Sequence, residues 1–485
     1  MEHVYAAVLA GGSGQRFWPL SRELSPKQLL STFGQESLIA QAVHRILPFT
    51  GGGDNVVIVT NERLFDELRN HLTAQPDTAL HAVRYIQEPI ARNTAPAIAL
   101  GAAVLMADDP EAVMVVLPSD HLLEGGQVWE DCLGAAVAAA ADGYLVTIGI
   151  TPTRPETGYG YIRAAEELPL FSAGAVTPHA VAEFVEKPDQ ERAHAFLVSG
   201  EYYWNAGIFV MKAARVLEEL DAAGGNGARI AEVARWIAAR PIADRNGDEA
   251  RRRFAELTPV SIDIAVMERS DKVAVIPAPL KWSDVGSLLA LEDVAEADTA
   301  GNVRSGRGVD IDSADSIVYS TDRLVATLGV RDLIVVDTMD ATLVLPKDRA
   351  QDVRQVVDAL KALGAPEVTQ PKVSLRPWGS WTSLLRGPGY QIKLLEVKPG
   401  ARLSLQKHAH RSEHWVVVAG TALVTRDAQK IEVGAGESVF LPAGCVHRLE
   451  NIGDAQLQLI EVAVGGYLGE DDIVRLEDDW ARDSG

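Results

Sequence analysis

A chain of 485 residues with 47% hydrophobic content is long enough for two or three globular domains. A formal net charge of −22 argues against a nucleic-acid or anionic-membrane partner, because such surfaces reward positive fields, and confines phosphate chemistry to local groups of Arg and Lys. The two cysteines, Cys132 and Cys445, exclude a disulfide framework. No apolar run reaches the roughly 18 residues of a membrane span, and Met1-Glu2-His3 lacks the basic region of a signal peptide. These features together predict a soluble cytoplasmic protein.

The apolar run Val4 to Leu9 reads as a buried strand, followed by a glycine turn. Strand-like and helix-like stretches then alternate: Val56 to Val59, Asn61 to Leu72, Ala112 to Leu117, Trp129 to Ala141, Leu145 to Ile150. This alternation predicts a mainly parallel sheet covered by helices up to about residue 290. From 291 the text changes to short β runs separated by Gly, Asp and Ser, as in Ser316 to Ser320, Leu324 to Leu328, Leu333 to Val336 and Ala341 to Leu345. They suggest a small β unit or a few coils of a β-helix, closed by a helix over Arg349 to Leu363. Residues 364–372 are the linker candidate, and 373–485 read as a small all-β barrel with glycine turns.

The turn after the first strand reads Ala10-Gly-Gly-Ser-Gly-Gln-Arg-Phe-Trp-Pro-Leu-Ser-Arg, with Pro26-Lys27-Gln28 beyond it. Gly11, Gly12 and Gly14 let backbone N–H groups approach an anion, and Arg16 and Lys27 add two cations. The spacing is neither a dinucleotide fingerprint nor a P-loop. It resembles the sugar-1-phosphate nucleotidyltransferases, with signature GGxGxRxxPLTxxxPKP, and most closely the mannose-1-phosphate guanylyltransferases, with FWPLSRxxxPKQ. The resemblance implies a Rossmann-like, GT-A-like domain over 1–290 that joins a nucleoside triphosphate to a sugar phosphate.

In-line attack on the α-phosphorus needs charge neutralisation and positioning. Arg16 would cover the leaving phosphates and Lys27 the α-phosphate. Mg²⁺ would be held by Asp120, just past the apolar run ending Leu117-Pro118-Ser119, and by Asp284 in Trp282-Ser283-Asp284-Val285-Gly286, which resembles the family's W-x-D-x-G. Phe184-Val185-Glu186-Lys187-Pro188 matches F-x-E-K-P, and Trp204-Asn205-Ala206-Gly207 matches W-N-x-G. Glu186, Lys187, Asn205, Gly158 in the glycine-tyrosine segment, and Asp263 in Ser261-Ile262-Asp263 are the implied sugar-phosphate contacts. Arg92 and Asn93 are the implied nucleotide contacts, although Asn93 or Thr94 as a plain helix cap accounts for much of that segment. The choice of guanine rests on the resemblance alone.

The second signal is Gly400-x5-Gln406-x-His408-x4-Glu413-x6-Gly420, followed by Gly436-x5-Pro442-x-Gly444-x2-His447-x3-Asn451. These are two cupin motifs with Gln406 in place of the usual first histidine. Strand alternation puts Gln406, His408 and His410 on one face. With Glu413 and His447, the first two make a mixed N/O set suited to Zn²⁺ or another divalent transition metal. Cys445 reads as packed rather than ligating. Gln406 to Trp415, Arg376-Pro377-Trp378-Gly379 and the acidic segment around Arg475 resemble the type II phosphomannose isomerase domain fused to such guanylyltransferases. One departure is Ala409 where that family commonly has a histidine. Arg475 is the candidate cation for an enediolate, and Lys393 a candidate for phosphate or proton handling.

The leading expectation is a bifunctional enzyme that makes GDP-mannose from GTP and mannose 1-phosphate and interconverts mannose 6-phosphate and fructose 6-phosphate. A separate phosphomannomutase is then an implied pathway partner, and homo-oligomerisation is left open. The alternative is a guanylyltransferase whose cupin is structural or regulatory. A third reading joins a cupin oxygenase or sugar-binding sensor to the transferase.

Overall fold

The structure, a computed structural model, describes residues 2–12, 14–34 and 36–477. The chain forms two compact units. One comprises the residues up to Asp66 with Asp77–Val368, and the other those from Thr369 onward with the stretch Glu67–Pro76.

The first unit is built on a nine-stranded sheet. Strands β1 (Val4–Leu9), β2 (Val56–Asn61), β3 (Arg84–Glu88) and β4 (Val113–Pro118) lie in the order β3-β2-β1-β4, all parallel. β1, β2 and β4 are apolar almost throughout because both faces of the sheet are covered. The sheet as a whole is mixed rather than mainly parallel. The long strand Tyr202–Lys212 runs antiparallel to both β4 and Leu145–Ile150, and the antiparallel pair Gly160–Glu167 and His179–Glu186 extends the far edge. Sequence alternation cannot reveal strand direction, since an antiparallel strand buried on both faces is equally apolar. The helix Thr94–Asp108 is buried over most of its length, its alanines allowing close approach to the sheet.

The coils after residue 300 follow the expected β-helix pattern. Parallel strands Val303–Ser305, Ile317–Ser320 and Leu333–Asp337 stack in register, and Thr342–Pro346 closes them antiparallel. Helix Val353–Ala362 follows a short 3₁₀ turn, Lys347–Asp352. These coils share a hydrophobic core with the signature loop: Phe17, Trp18 and Val285 pack with Leu288, Ile334, Val336, Val353 and Val357. The unit expected from 291 therefore anchors the loop that carries Arg16.

The second unit is a barrel of two sheets, six-stranded and five-stranded. Strands Tyr390–Val397, Arg411–Ala419 and Leu457–Gly465 alternate buried and outward residues. One half of the interior is apolar, with Leu395, Val397, Trp415, Val417, Leu449, Leu457 and Leu459. The other half is polar, with Lys393, His408, Arg411, Glu413, His447 and Glu461 all buried.

Candidate active sites

A cleft of about 530 Å³ opens at the carboxyl ends of the parallel strands, where loops leave a sheet of this type. It is lined by Gly11, Gly12, Asn93, Asp120, Gly158, Glu186, Lys187, Asn205, Asp263 and Asp284. A smaller side cleft of about 360 Å³, lined by Gly14, Arg16, Lys27, Asp120 and Asp284, adjoins these same carboxylates. Every candidate of this domain except Arg92 thus meets in two joined clefts, although the segments are as distant in sequence as Gly11 and Asp284.

Lys27 is buried, and its ammonium has three acceptors: Asp120 Oδ2 at 2.7 Å, the Asp284 carbonyl at 2.8 Å and the Val285 carbonyl at 2.9 Å. Val285 has a φ of 48°, a left-handed conformation costly for a β-branched residue, and it turns both carbonyls of this peptide pair toward the lysine. Gly14 has a φ of 60°, and a Cβ there would stand 2.4 Å from Lys27 Cβ, so only glycine lets the loop close over the lysine. Burial acts to raise the Asp120 pKa, but the Lys27 ammonium and His121 outweigh it and hold the carboxyl below its ordinary range. Asp284 Oδ1 accepts from Tyr159 Oη at 2.6 Å and from Gly286 N at 3.1 Å. Burial, then the Asp284 charge, pushes the Tyr159 phenol up, so it remains a donor. Two carboxylates around one cleft form a hard oxygen donor set that fits Mg²⁺. Arg16 is exposed in the side cleft and makes no ion pair with a described residue.

At the opposite end, Asn205 Nδ2 donates to Asp263 Oδ1 at 2.8 Å, while Asn205 Oδ1 accepts from Thr147 Oγ1 at 2.8 Å. Burial, reinforced by Glu186, raises Asp263 to about 6. Lys187 pairs with Glu186. A Cβ at Gly160 would meet Glu186 Oε2 at 2.7 Å, so this glycine makes room for the carboxylate. Gly158 N donates to Glu156 Oε1 at 3.1 Å.

Arg92 is the candidate that lies elsewhere. Its guanidinium donates to the carbonyls of Phe254 and Ala255 at the end of helix Asp248–Ala255, and it does not line the cleft. Carbonyls at a helix C-terminus are strong local acceptors for a cation. Asn93 does line the cleft, with its side chain accepting from Thr94 N at 2.8 Å as a cap.

In the barrel, ligand atoms of His408, Glu413 and His447 lie within 4.8 Å of one another. His447 Nδ1 faces the Cys445 carbonyl at 3.1 Å, and its Nε2 is buried with no hydrogen-bond partner among the described residues, an atom placed as a metal ligand would be. Burial lowers the His447 pKa, which keeps the imidazole neutral as ligation requires. Glu413 stands 3.1 Å from His408 Nε2 and 3.7 Å from His447 Nε2, and accepts from Trp415 Nε1 at 3.1 Å. Burial opposes the Glu413 charge, but its hydrogen bond with His408 and the Arg411 guanidinium outweigh it and the carboxyl is held low. The set fits a divalent transition metal.

Gln406 lies across from His447 in one strand pair and from Arg475 in the other, with its Oε1 accepting from Ser404 Oγ at 2.8 Å. His410 departs from the expected face: its strand, Leu405–His408, ends two residues earlier and the side chain is exposed. Lys393 is buried, 4.6 Å from the centre of the Trp381 ring and 4.0 Å from Glu461. Cys445 packs in the apolar core.

Two residues escaped the sequence reading. Glu88 ends β3 and lines the first cleft. Arg411 is buried, its Nε donating to Glu413 Oε1 at 3.0 Å and its Nη2 3.3 Å from His408 Nε2. Spacing held a signal for Arg411, since it precedes Glu413 by two on one strand and must share its face.

The fold and these clefts define a nucleotidyltransferase joined to a cupin. Residues 5–301 match the family model "Nucleotidyl transferase", 306–360 match "MannoseP isomerase/GMP-like beta-helix domain", and 364–478 match "Mannose-6-phosphate isomerase C-terminal". The chain is 42% identical to "Xanthan biosynthesis protein XanB" of Xanthomonas campestris pv. campestris, covering 99% of this chain and 100% of that protein. It is 41% identical to a "Mannose-1-phosphate guanylyltransferase" of Klebsiella pneumoniae, covering 98% and 99%. A crystal structure described as a "mannose-1-phosphate geranyltransferase" from Thermus thermophilus superposes with a TM-score of 0.62 at 33% identity, covering 74% of this chain and 99% of that one. The chain belongs to the family of mannose-1-phosphate guanylyltransferases that carry a C-terminal mannose-6-phosphate isomerase domain.

Proposed function

We propose that the first unit transfers GMP from GTP to mannose 1-phosphate, releasing pyrophosphate and GDP-mannose, and that the cupin interconverts mannose 6-phosphate and fructose 6-phosphate. The observation that carries the first half is the convergence of Asp120 and Asp284 on Lys27 at the mouth of the strand ends. Arg16, which makes no ion pair with a described residue, is suited to the β- and γ-phosphates, and Lys27 to the charge that develops at the α-phosphate. Mg²⁺ held by Asp120 and Asp284 would shield the two substrates' phosphates from each other. Asn205, Asp263 and Glu186 offer acceptors and donors for sugar hydroxyls, with Lys187 toward the sugar phosphate.

In the cupin, His408, Glu413, His447 and Gln406 would hold Zn²⁺ or a similar ion, which as a Lewis acid would favour the anionic form of the substrate. Arg475, opposite Gln406, would add positive charge near the enediolate oxygens, and Lys393 is a candidate for phosphate or proton handling. The two reactions are not consecutive, so a phosphomannomutase must act between them. The relative named for xanthan biosynthesis suggests polysaccharide precursors as the outlet. Sugar phosphates and GTP are cytoplasmic metabolites, so the cytoplasm is the expected compartment. No described helix is long and apolar enough to cross a membrane.

The test incubates purified protein with fructose 6-phosphate, with and without chelator, and separately with GTP, Mg²⁺ and mannose 1-phosphate. Metal-dependent mannose 6-phosphate and GDP-mannose are both expected. Absence of GDP-mannose would overturn the first half, and absence of mannose 6-phosphate after metal is restored would overturn the second.

A further inference from the structure

The signature loop is fastened along its length by the β-helix coils and the segment that closes them. Trp18 Nε1 donates to the Glu367 carbonyl at 3.1 Å, Arg22 Nη2 to Asp340 Oδ1 at 2.9 Å, and the Glu23 backbone N–H to the Val368 carbonyl at 3.0 Å. Helix Val353–Ala362 lies on the short turn Gln15–Phe17, with Val353 and Val357 in the core that holds Phe17. A helix fixed in this way to a phosphate-binding loop can contribute side chains of its own to the cleft.

Arg354 and Lys361 stand two turns, about 10 Å, apart on one side of this helix. Lys361 is engaged, with its ammonium 2.7 Å from Glu23 Oε1. Arg354 is placed differently. It lines the side cleft with Arg16, Lys27, Asp120 and Asp284, and its side chain is 73% exposed. Its pairing with Asp358 is a 4.0 Å contact between two solvated groups, which is worth little. Because Phe17 and Val353 pack in one core, the residues beside them in sequence, Arg16 and Arg354, reach the same small cleft. Two guanidiniums so placed repel each other until an anion lies between them. Lys27 is already shared by Asp120 and two carbonyls, so without Arg354 the outer phosphates of a triphosphate would face Arg16 alone among the arginines and lysines of this cleft.

We propose that Arg354 is a phosphate-contacting residue of the nucleotidyl site, which with Arg16 holds the β- and γ-phosphates of the incoming nucleotide and the pyrophosphate that leaves. The inference rests on the guanylyltransferase reading. In the transfer, a phosphate oxygen of mannose 1-phosphate bonds to the α-phosphorus. The bond from that phosphorus to the oxygen bridging the β-phosphate breaks, and its electron pair leaves with pyrophosphate. Negative charge therefore grows on the group that Arg354 faces, and a guanidinium there stabilises the transition state as well as the bound nucleotide. The β-helix segment thereby takes part in the chemistry, since the leaving group is held between cations from the signature loop and from the helix that follows the coils.

The experiment measures calorimetric binding of GTP and of GDP-mannose, with Mg²⁺, to the full-length enzyme and to Arg354→Gln. A second readout is the reverse reaction, in which GDP-mannose and inorganic pyrophosphate return GTP and mannose 1-phosphate. In the variant, GTP affinity should fall and the KM for pyrophosphate rise, each by about 10-fold, the scale of a hydrogen bond between charged groups that water partly screens. GDP-mannose affinity should be unchanged, and Arg354→Lys should recover part of the loss. Arg349→Gln removes a charge from the preceding turn, where Arg349 pairs with Asp352 at 2.8 Å and does not line the cleft, and it should leave every constant as in the wild type. Equal losses for GTP and GDP-mannose in Arg354→Gln, or unchanged GTP and pyrophosphate constants, would overturn the role of Arg354 and leave the guanylyltransferase reading standing. A loss as large in Arg349→Gln would also overturn it, as an effect of net charge alone. A wild type that makes no GTP from GDP-mannose and pyrophosphate would overturn both.

Discussion

Lys27 Nζ sits 2.7 Å from Asp120 Oδ2 and bridges that carboxylate to the backbone of the loop carrying Asp284. One ammonium therefore ties the first acid we assign to Mg²⁺ to the loop that carries the second, and it must share its positive charge with the incoming phosphates. Lys27→Met should lower the guanylyltransferase kcat by about 10²- to 10³-fold, the scale for removing one charge that stabilises a transition state. Steady-state kinetics with saturating GTP would check this. A kcat within a factor of a few of the wild type would remove the lysine from the chemistry.

Gly14 holds the loop over Lys27, and Gly14→Ala meets both a left-handed φ and a 2.4 Å approach to Lys27 Cβ. The conformation alone costs roughly 1–2 kcal/mol, and the clash displaces the lysine. Transfer activity should fall while the isomerase is unchanged. Normal transfer in this variant would mean that the loop does not need its observed closure.

Asp263 is held near 6 rather than its usual 3.8, by burial first and by Glu186 second. Between pH 4 and 6 the folded protein therefore binds a proton that the unfolded chain has released, and the folded state loses relative stability as pH rises through this window. The penalty is complete above about pH 6 and is at most on the order of 2–3 kcal/mol, less where water screens this half-buried group. Asp263→Asn, which keeps an acceptor for Asn205, should be more stable than the wild type at pH 7.5 and lose that advantage near pH 4. Denaturant melts at both pH values would show it, and a pH-independent difference would contradict it.

Arg411 balances the charge of Glu413 inside the barrel. Arg411→Met leaves a buried carboxylate with one cation fewer, and removing one partner of such a pair costs about 3–5 kcal/mol. The metal-free barrel should be strongly destabilised, and added Zn²⁺ should recover more stability in the variant than in the wild type. Thermal melts with and without metal test this. Equal metal-induced shifts would show that Arg411 does not compensate the ligand charge.

The residues legible in the sequence were those in which chemistry and local spacing coincide. Lys27 and Arg16 sat in one loop motif, and His408 and Glu413 sat at cupin spacing, so the structure had only to bring the segments together. Arg92 was misplaced because its partners, the carbonyls of Phe254 and Ala255, are more than 160 residues away and leave no mark in the local text. Glu88 was passed over because an acid at a strand end reads as a solvated boundary residue until the glycine loop is seen lying against it. The mixed sheet was hidden for a related reason, since burial on both faces erases the pattern that distinguishes strand direction.

The most direct test measures both reactions on the wild type, Lys27→Met and His447→Ala, each purified in the same way. The account predicts a crossed result. Lys27→Met should lose GDP-mannose formation and keep the isomerase, and His447→Ala should lose metal-dependent isomerisation and keep guanylyl transfer. Loss of both reactions in either variant, or an isomerase indifferent to His447, would contradict the account of two separate sites in one chain.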